Sequence, residues 1–103
     1  MMKTRKEIHA ALSIVHMHNE LVYEEYKKTN KRILAKEDKI NEIKYWYNLS
    51  IHNLCETLKN NIGVDYGALQ EIFITNLIFD TDVEYFNLYE KFYKMLQLLV
   101  NES

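Results

Sequence analysis

The chain contains no proline, and its only glycines, Gly63 and Gly67, stand four residues apart. These two residue types supply most strand turns and irregular connections. Their absence from everything before residue 63 argues against a sheet-rich architecture and predicts an all-α fold. A single cysteine, Cys55, excludes an intrachain disulfide and favours a reducing compartment. No stretch of about 18 apolar residues is present. The basic start (Lys3, Arg5, Lys6) runs into Glu7, His9 and His16 rather than an uninterrupted signal-peptide core. The expectation is a cytoplasmic protein that does not enter a membrane.

Recognised chemistry is scarce as well. Gly63 and Gly67 have no neighbouring Lys-Ser/Thr to cradle a phosphate, and neither G-x-S-x-G nor a paired-cysteine motif occurs. A chain of this size with so few loops reads as a non-enzyme without a cofactor.

What is present is ordinary for a folded protein: 103 residues, 48% hydrophobic and 27% charged. That predicts one helical domain over residues 1–103 with a small core, since such a chain hides only about two-thirds of its unfolded surface. Aromatic content is 13%, and eight of the aromatics are tyrosines, which tolerate half-burial in thin cores and at interfaces. Abundant Lys, Asn, Ile and Tyr with little Ala, Arg, Gly and Pro suggest a gene of low GC content. That composition fits a low-GC bacterium, its phage or plasmid, or an AT-rich virus.

Net charge is −2, but residues 1–50 carry ten Lys/Arg against seven Asp/Glu, and residues 51–103 carry three against eight. The opposite halves can attract each other within one fold, or the basic half can serve as a docking face.

Periodicity predicts about four helices, over residues 4–28, 36–60, 66–79 and 82–100. Thr4 and Glu7 have capping-box spacing. Ile8, Ala11, Leu12, Val15, Val22 and Tyr26 then fall on one face of the first helix, opposite His9, Ser13, His16, Glu20 and Lys27. A turn is expected near Asn30. The second stripe is Ile40, Ile43, Tyr47, Ile51, Leu54, Cys55 and Leu58. A 3.5-residue spacing from Ile8 through Leu54 also fits one long coiled-coil helix in place of the first two. Gly63 suits a helix C-terminus and Asp65 the next N-cap. The third helix is apolar nearly all round, which predicts a central or interfacial position. Thr81 and Glu84 form a second capping box, and the fourth helix is apolar over about half its circumference.

Four candidate sites follow. His9, His16 and Glu20 share one face and are weak metal-ligand candidates; with no matching pair on another helix, the expectation is a solvated face and no metal. His18 and Asn19 lie on the apolar side, where polar residues find core partners or set register. Tyr45, Trp46 and Leu49 point away from the second stripe; with Tyr85, Tyr89, Phe92 and Tyr93 they are the candidate partner-binding residues. Lys27, Lys28, Lys31 and Arg32 lie in a basic 27–39 segment able to dock on nucleic acid, although the helix after the glycines is poor in Lys and Arg.

The leading expectation is a small helical protein that acts through protein–protein interaction and forms a homodimer. A phage- or plasmid-borne regulator or inhibitor of a host protein fits its composition. Alternatives are a nucleic-acid-associated regulator and a protein like the bacteriocin immunity proteins, the latter on size and class alone.

Overall fold

In the computed structural model, which describes residues 3–29, 36–74 and 79–102, the chain is all-α. Four helices run in order: α1 (Arg5–Thr29), α2 (Lys36–Ile62), α3 (Gly67–Ile74) and α4 (Asp82–Glu102). No strand occurs among the described residues. The expected turn at Asn30, and Lys31 and Arg32 with it, fall outside those residues.

Local chemistry sets the helix ends. Thr4 Oγ1 accepts the Glu7 N–H at 3.2 Å, and the Glu7 carboxylate reaches back to the Thr4 hydroxyl at 3.1 Å. At the end of α2, Gly63 adopts φ 72° and donates its N–H to Lys59 O at 3.0 Å. A left-handed residue there satisfies a carbonyl the helix would otherwise leave open. Asp65 Oδ1 then takes the Gly67 N–H at 2.8 Å, opening α3. Thr81 Oγ1 accepts the Glu84 N–H at 3.3 Å, and Glu84 Oε2 accepts the Asp80 N–H at 3.2 Å.

Helices α1 and α2 form an antiparallel hairpin. Lys3 donates to Asn61 near one end, and Asn19 meets Trp46 and Ser50 near the middle. The single long helix is therefore overturned. Folding back lets each apolar stripe cover the other within one chain, where a continuous helix would need a partner helix to cover them. Helix α4 also lies antiparallel to α1: His9 meets Asn101, His16 meets Tyr89, and Tyr23 meets Asp82. The two neighbours of α1 thus run parallel to each other.

The core is one cluster from three helices: Ile8, Leu12 and Tyr23 of α1; Ile43, Trp46, Tyr47, Ile51, Leu54, Cys55 and Leu58 of α2; and Tyr85, Tyr89, Phe92, Leu96 and Val100 of α4. The wide apolar face of α4 is explained by two neighbours inside this chain. Helix α3 differs from expectation in place and length. It has no buried residue, Ile72 is 70% exposed, and Phe79 lies outside the helix. It packs along one side of α2, with Phe73 edge-on to Phe92 at 4.9 Å and its carbonyl accepting from Tyr47.

The body measures 50 × 25 × 17 Å along its principal axes, and each of the four helices has exposed residues. Every helix therefore keeps an outer face. The Gly63 site is open, and a methyl group there would meet nothing within 4 Å, so Gly63→Ala carries only the left-handed backbone cost. We expect it to lower stability by about 1 kcal/mol in urea unfolding.

Candidate interaction face and the buried polar network

The polar face of α1 is not solvated as its sequence suggests. His9 Nε2 lies 2.7 Å from Asn101 Oδ1, Ser13 Oγ lies 3.4 Å from Tyr93 Oη, and His16 Nδ1 lies 2.7 Å from Tyr89 Oη. This face is the seam with α4. The His16 ring stacks on Tyr93 with centroids 3.9 Å apart and planes at 7°. Its Nε2 sits 2.5 Å from Glu20 Oε1. Hydrophobic spacing does not reveal the seam because its α4 side is built of tyrosines, which offer a ring and a hydroxyl together.

His9, His16 and Glu20 are thus spent on contacts within the fold. Among the described residues no three His, Cys, Asp or Glu side chains are grouped as a metal site requires. His18, placed by its spacing on the apolar side of α1 with a core partner or a register role expected, is exposed. Asn19 is buried, 2% exposed, and is bonded throughout. Its Nδ2 donates to Ser50 O at 3.3 Å and to Tyr89 Oη at 3.1 Å, and its Oδ1 accepts from Asn53 at 3.4 Å. Its backbone carbonyl accepts the Trp46 indole N–H at 2.7 Å.

The expected partner-binding set divides. Trp46, Tyr85, Tyr89 and Phe92 are buried inside this chain, so they form no outer surface. The reason is that α2 is covered on two sides and needs two apolar faces. Trp46 packs against Tyr23 at 4.7 Å and Tyr89 at 5.2 Å, and Tyr23 stacks on Phe86 at 4.6 Å. Tyr93 is half-buried against His16. Only Tyr45, 63% exposed, and Leu49, 40% exposed, face outward.

A larger exposed apolar row lies elsewhere. On α1, Ile14, Met17 and Leu21 are 68%, 63% and 66% exposed, with exposed Ala10 one turn earlier. At 100° per residue this row stands opposite Ile8, Leu12 and Asn19. In the sequence the stronger inner stripe masks it. Its signature is large apolar residues at i, i+3 and i+7 on the far side.

Of the basic candidates, Lys27 lies 3.8 Å from Glu24 and 5.3 Å from the Tyr23 ring centroid. Lys28 is exposed. Cys55 is buried, and burial pushes its thiol up to about 11, with Asp65 and Glu56 adding to the effect. That keeps it as a thiol. No helix among the described residues is long and apolar enough to cross a membrane. Comparison with protein-family models, with characterised proteins and with solved structures yields no match.

Asn19→Ala removes two donated bonds from the core and strands the Ser50 and Asn53 contacts. We expect a loss of about 2 kcal/mol in urea unfolding with helix content retained by circular dichroism.

Proposed function

We propose that this chain is a non-enzymatic protein that works by binding another protein, and that it does so through the outer face of α1. The observation that carries the reading is the row Ala10, Ile14, Met17 and Leu21. These side chains form an apolar ridge about 16 Å long at 1.5 Å per residue, on a helix whose opposite face already supplies the core. Scattered single apolar residues are normal on a surface; an aligned row on one helix is the pattern of helix-in-groove recognition. The partner that fits is a protein presenting an apolar groove or a second amphipathic helix.

The non-enzymatic part rests on how the chemically capable groups are used. His16, Tyr89 and Glu20 bond one another, and Cys55 is held buried as a thiol. Within this class, a regulator or inhibitor of a host protein is the role that small size and AT-rich composition support. A second copy of this chain is the alternative occupant of the same ridge, which would make the protein a homodimer.

The test places a photo-crosslinking residue at Met17, and in a separate variant at Lys94 on the outer face of α4, in the native host. One discrete adduct at position 17, absent at 94, is expected. Ile14→Glu with Leu21→Glu should abolish it while helix content is unchanged. Each lost side chain should weaken association by about 2 kcal/mol. An adduct of twice the chain mass identifies the homodimer. No adduct at 17, or the same adduct at both positions, overturns the assignment.

A further inference from the structure

The network around Asn19 has a direction, and the direction fixes a protonation state. The Ser50 carbonyl can only accept a hydrogen bond, so the group facing it at 3.3 Å is the Asn19 amide nitrogen. That same nitrogen donates to Tyr89 Oη at 3.1 Å. Tyr89 Oη accepts from Asn19; the Glu20 carboxylate, which can only accept, faces His16 Nε2, so in the neutral ring Nδ1 is the bare nitrogen and takes the Tyr89 hydrogen, 2.7 Å away. A ring nitrogen that accepts carries no proton. The imidazole proton therefore sits on Nε2, aimed at Glu20 Oε1 at 2.5 Å. Every donor in the run from Asn19 to Glu20 has an acceptor only while His16 is neutral.

Protonation breaks the run at one place. A second proton on Nδ1 would meet the Tyr89 hydrogen across 2.7 Å. The Tyr89 hydroxyl would have to turn its hydrogen away, yet that residue is fully buried. The imidazole has little freedom to move, because its ring lies flat on Tyr93.

We infer that His16 is a proton-operated latch on the seam between α1 and α4: neutral, it closes the chain Asn19–Tyr89–His16–Glu20; protonated, it opens the Tyr89 link and loosens α4 from α1.

The charged groups facing His16 are Glu20 on its own helix and Glu90 on α4, and both favour the imidazolium. The hydroxyls of Tyr89 and Tyr93 also face the ring, Ser13 bonds Tyr93, and α2 reaches it through Asn19 by the Ser50 carbonyl and the Asn53 amide. Burial outweighs the two carboxylates and sets His16 below the ordinary imidazole value of 6.5. The folded state thus binds this proton less readily than the unfolded chain. The stabilising contribution of neutral His16 is complete above 6.5 and is lost as pH falls from there toward the lower folded value.

The test is a titration of the full chain by long-range proton–nitrogen spectroscopy over about pH 8 to 5. His16 should appear as the Nε2–H tautomer. Its midpoint should lie below that of the same residue in the urea-unfolded chain. The Tyr89 and Tyr93 ring signals should shift with the same midpoint. Tyr89→Phe keeps the ring and removes the hydroxyl, so it should move the His16 midpoint up toward the unfolded value. His16→Gln should flatten the pH dependence of the urea midpoint; should that variant fail to fold, the wild-type titration alone decides. An Nδ1–H tautomer, a folded midpoint at or above the unfolded one, tyrosine signals indifferent to the titration, or no response to Tyr89→Phe would each overturn the latch.

Discussion

The side-chain amide of Asn19 is the contact on which the arrangement of the three long helices depends. It sits on α1, donates to the α2 backbone at Ser50 and to the α4 hydroxyl of Tyr89, and accepts from Asn53. A buried amide is costly unless its capacity is used, and here both its oxygen and its nitrogen are engaged. Apolar packing tolerates sliding by a turn; this amide does not, because a shift would strand it in the core. The backbone carbonyl of the same residue holds the Trp46 indole, so one position sets the register of α1 against both neighbours.

Around that point the core is built on aromatic rings. Tyr23, Trp46, Phe86 and Tyr89 form a continuous set of ring contacts across three helices. Large rings fill a thin body with few residues, and each well-placed pair adds about 1 kcal/mol beyond its buried area. Tyrosines also reach partners at the edges: Tyr23 donates to Asp82 at 2.9 Å and Tyr47 to the Phe73 carbonyl. Burial is the main reason that both hydroxyls are held above the ordinary tyrosine range. A thin layer of helices built this way covers its own core and still leaves the outer row of α1 facing water.

Much of this architecture was legible in the sequence. The four helices, the Thr4–Glu7 and Thr81–Glu84 caps, the turn at Gly63 and the inner stripes all follow from short-range chemistry and a 3.6-residue period. What periodicity does not carry is which helix covers which face. Helix α3 is apolar all round yet peripheral, because its neighbour α2 supplies most of its contacts. Trp46 sits off the main stripe of α2 yet is buried, because α1 lies against that side. His16 and Ser13 look like a wet face because their cover is Tyr89 and Tyr93, from more than seventy residues away. Core residues come from both sides of the glycines, while the exposed row Ile14, Met17 and Leu21 lies on α1, before them.

The parallel alignment of α2 and α4 places their C-terminal ends side by side, and each end bears the partial negative charge of its open carbonyls. Helix α4 has no basic residue in its last turn, and α2 has only Lys59. The N-terminal end of α1 lies between them, with Lys3 bonded to Asn61 and His9 to Asn101. Its positive dipole end, with Lys3, Arg5 and Lys6 around it, is a shared counter-charge for two helices at once. The excess of positive charge in the first half of the chain thereby neutralises a pole that the fold creates by running two of its three long helices in the same direction.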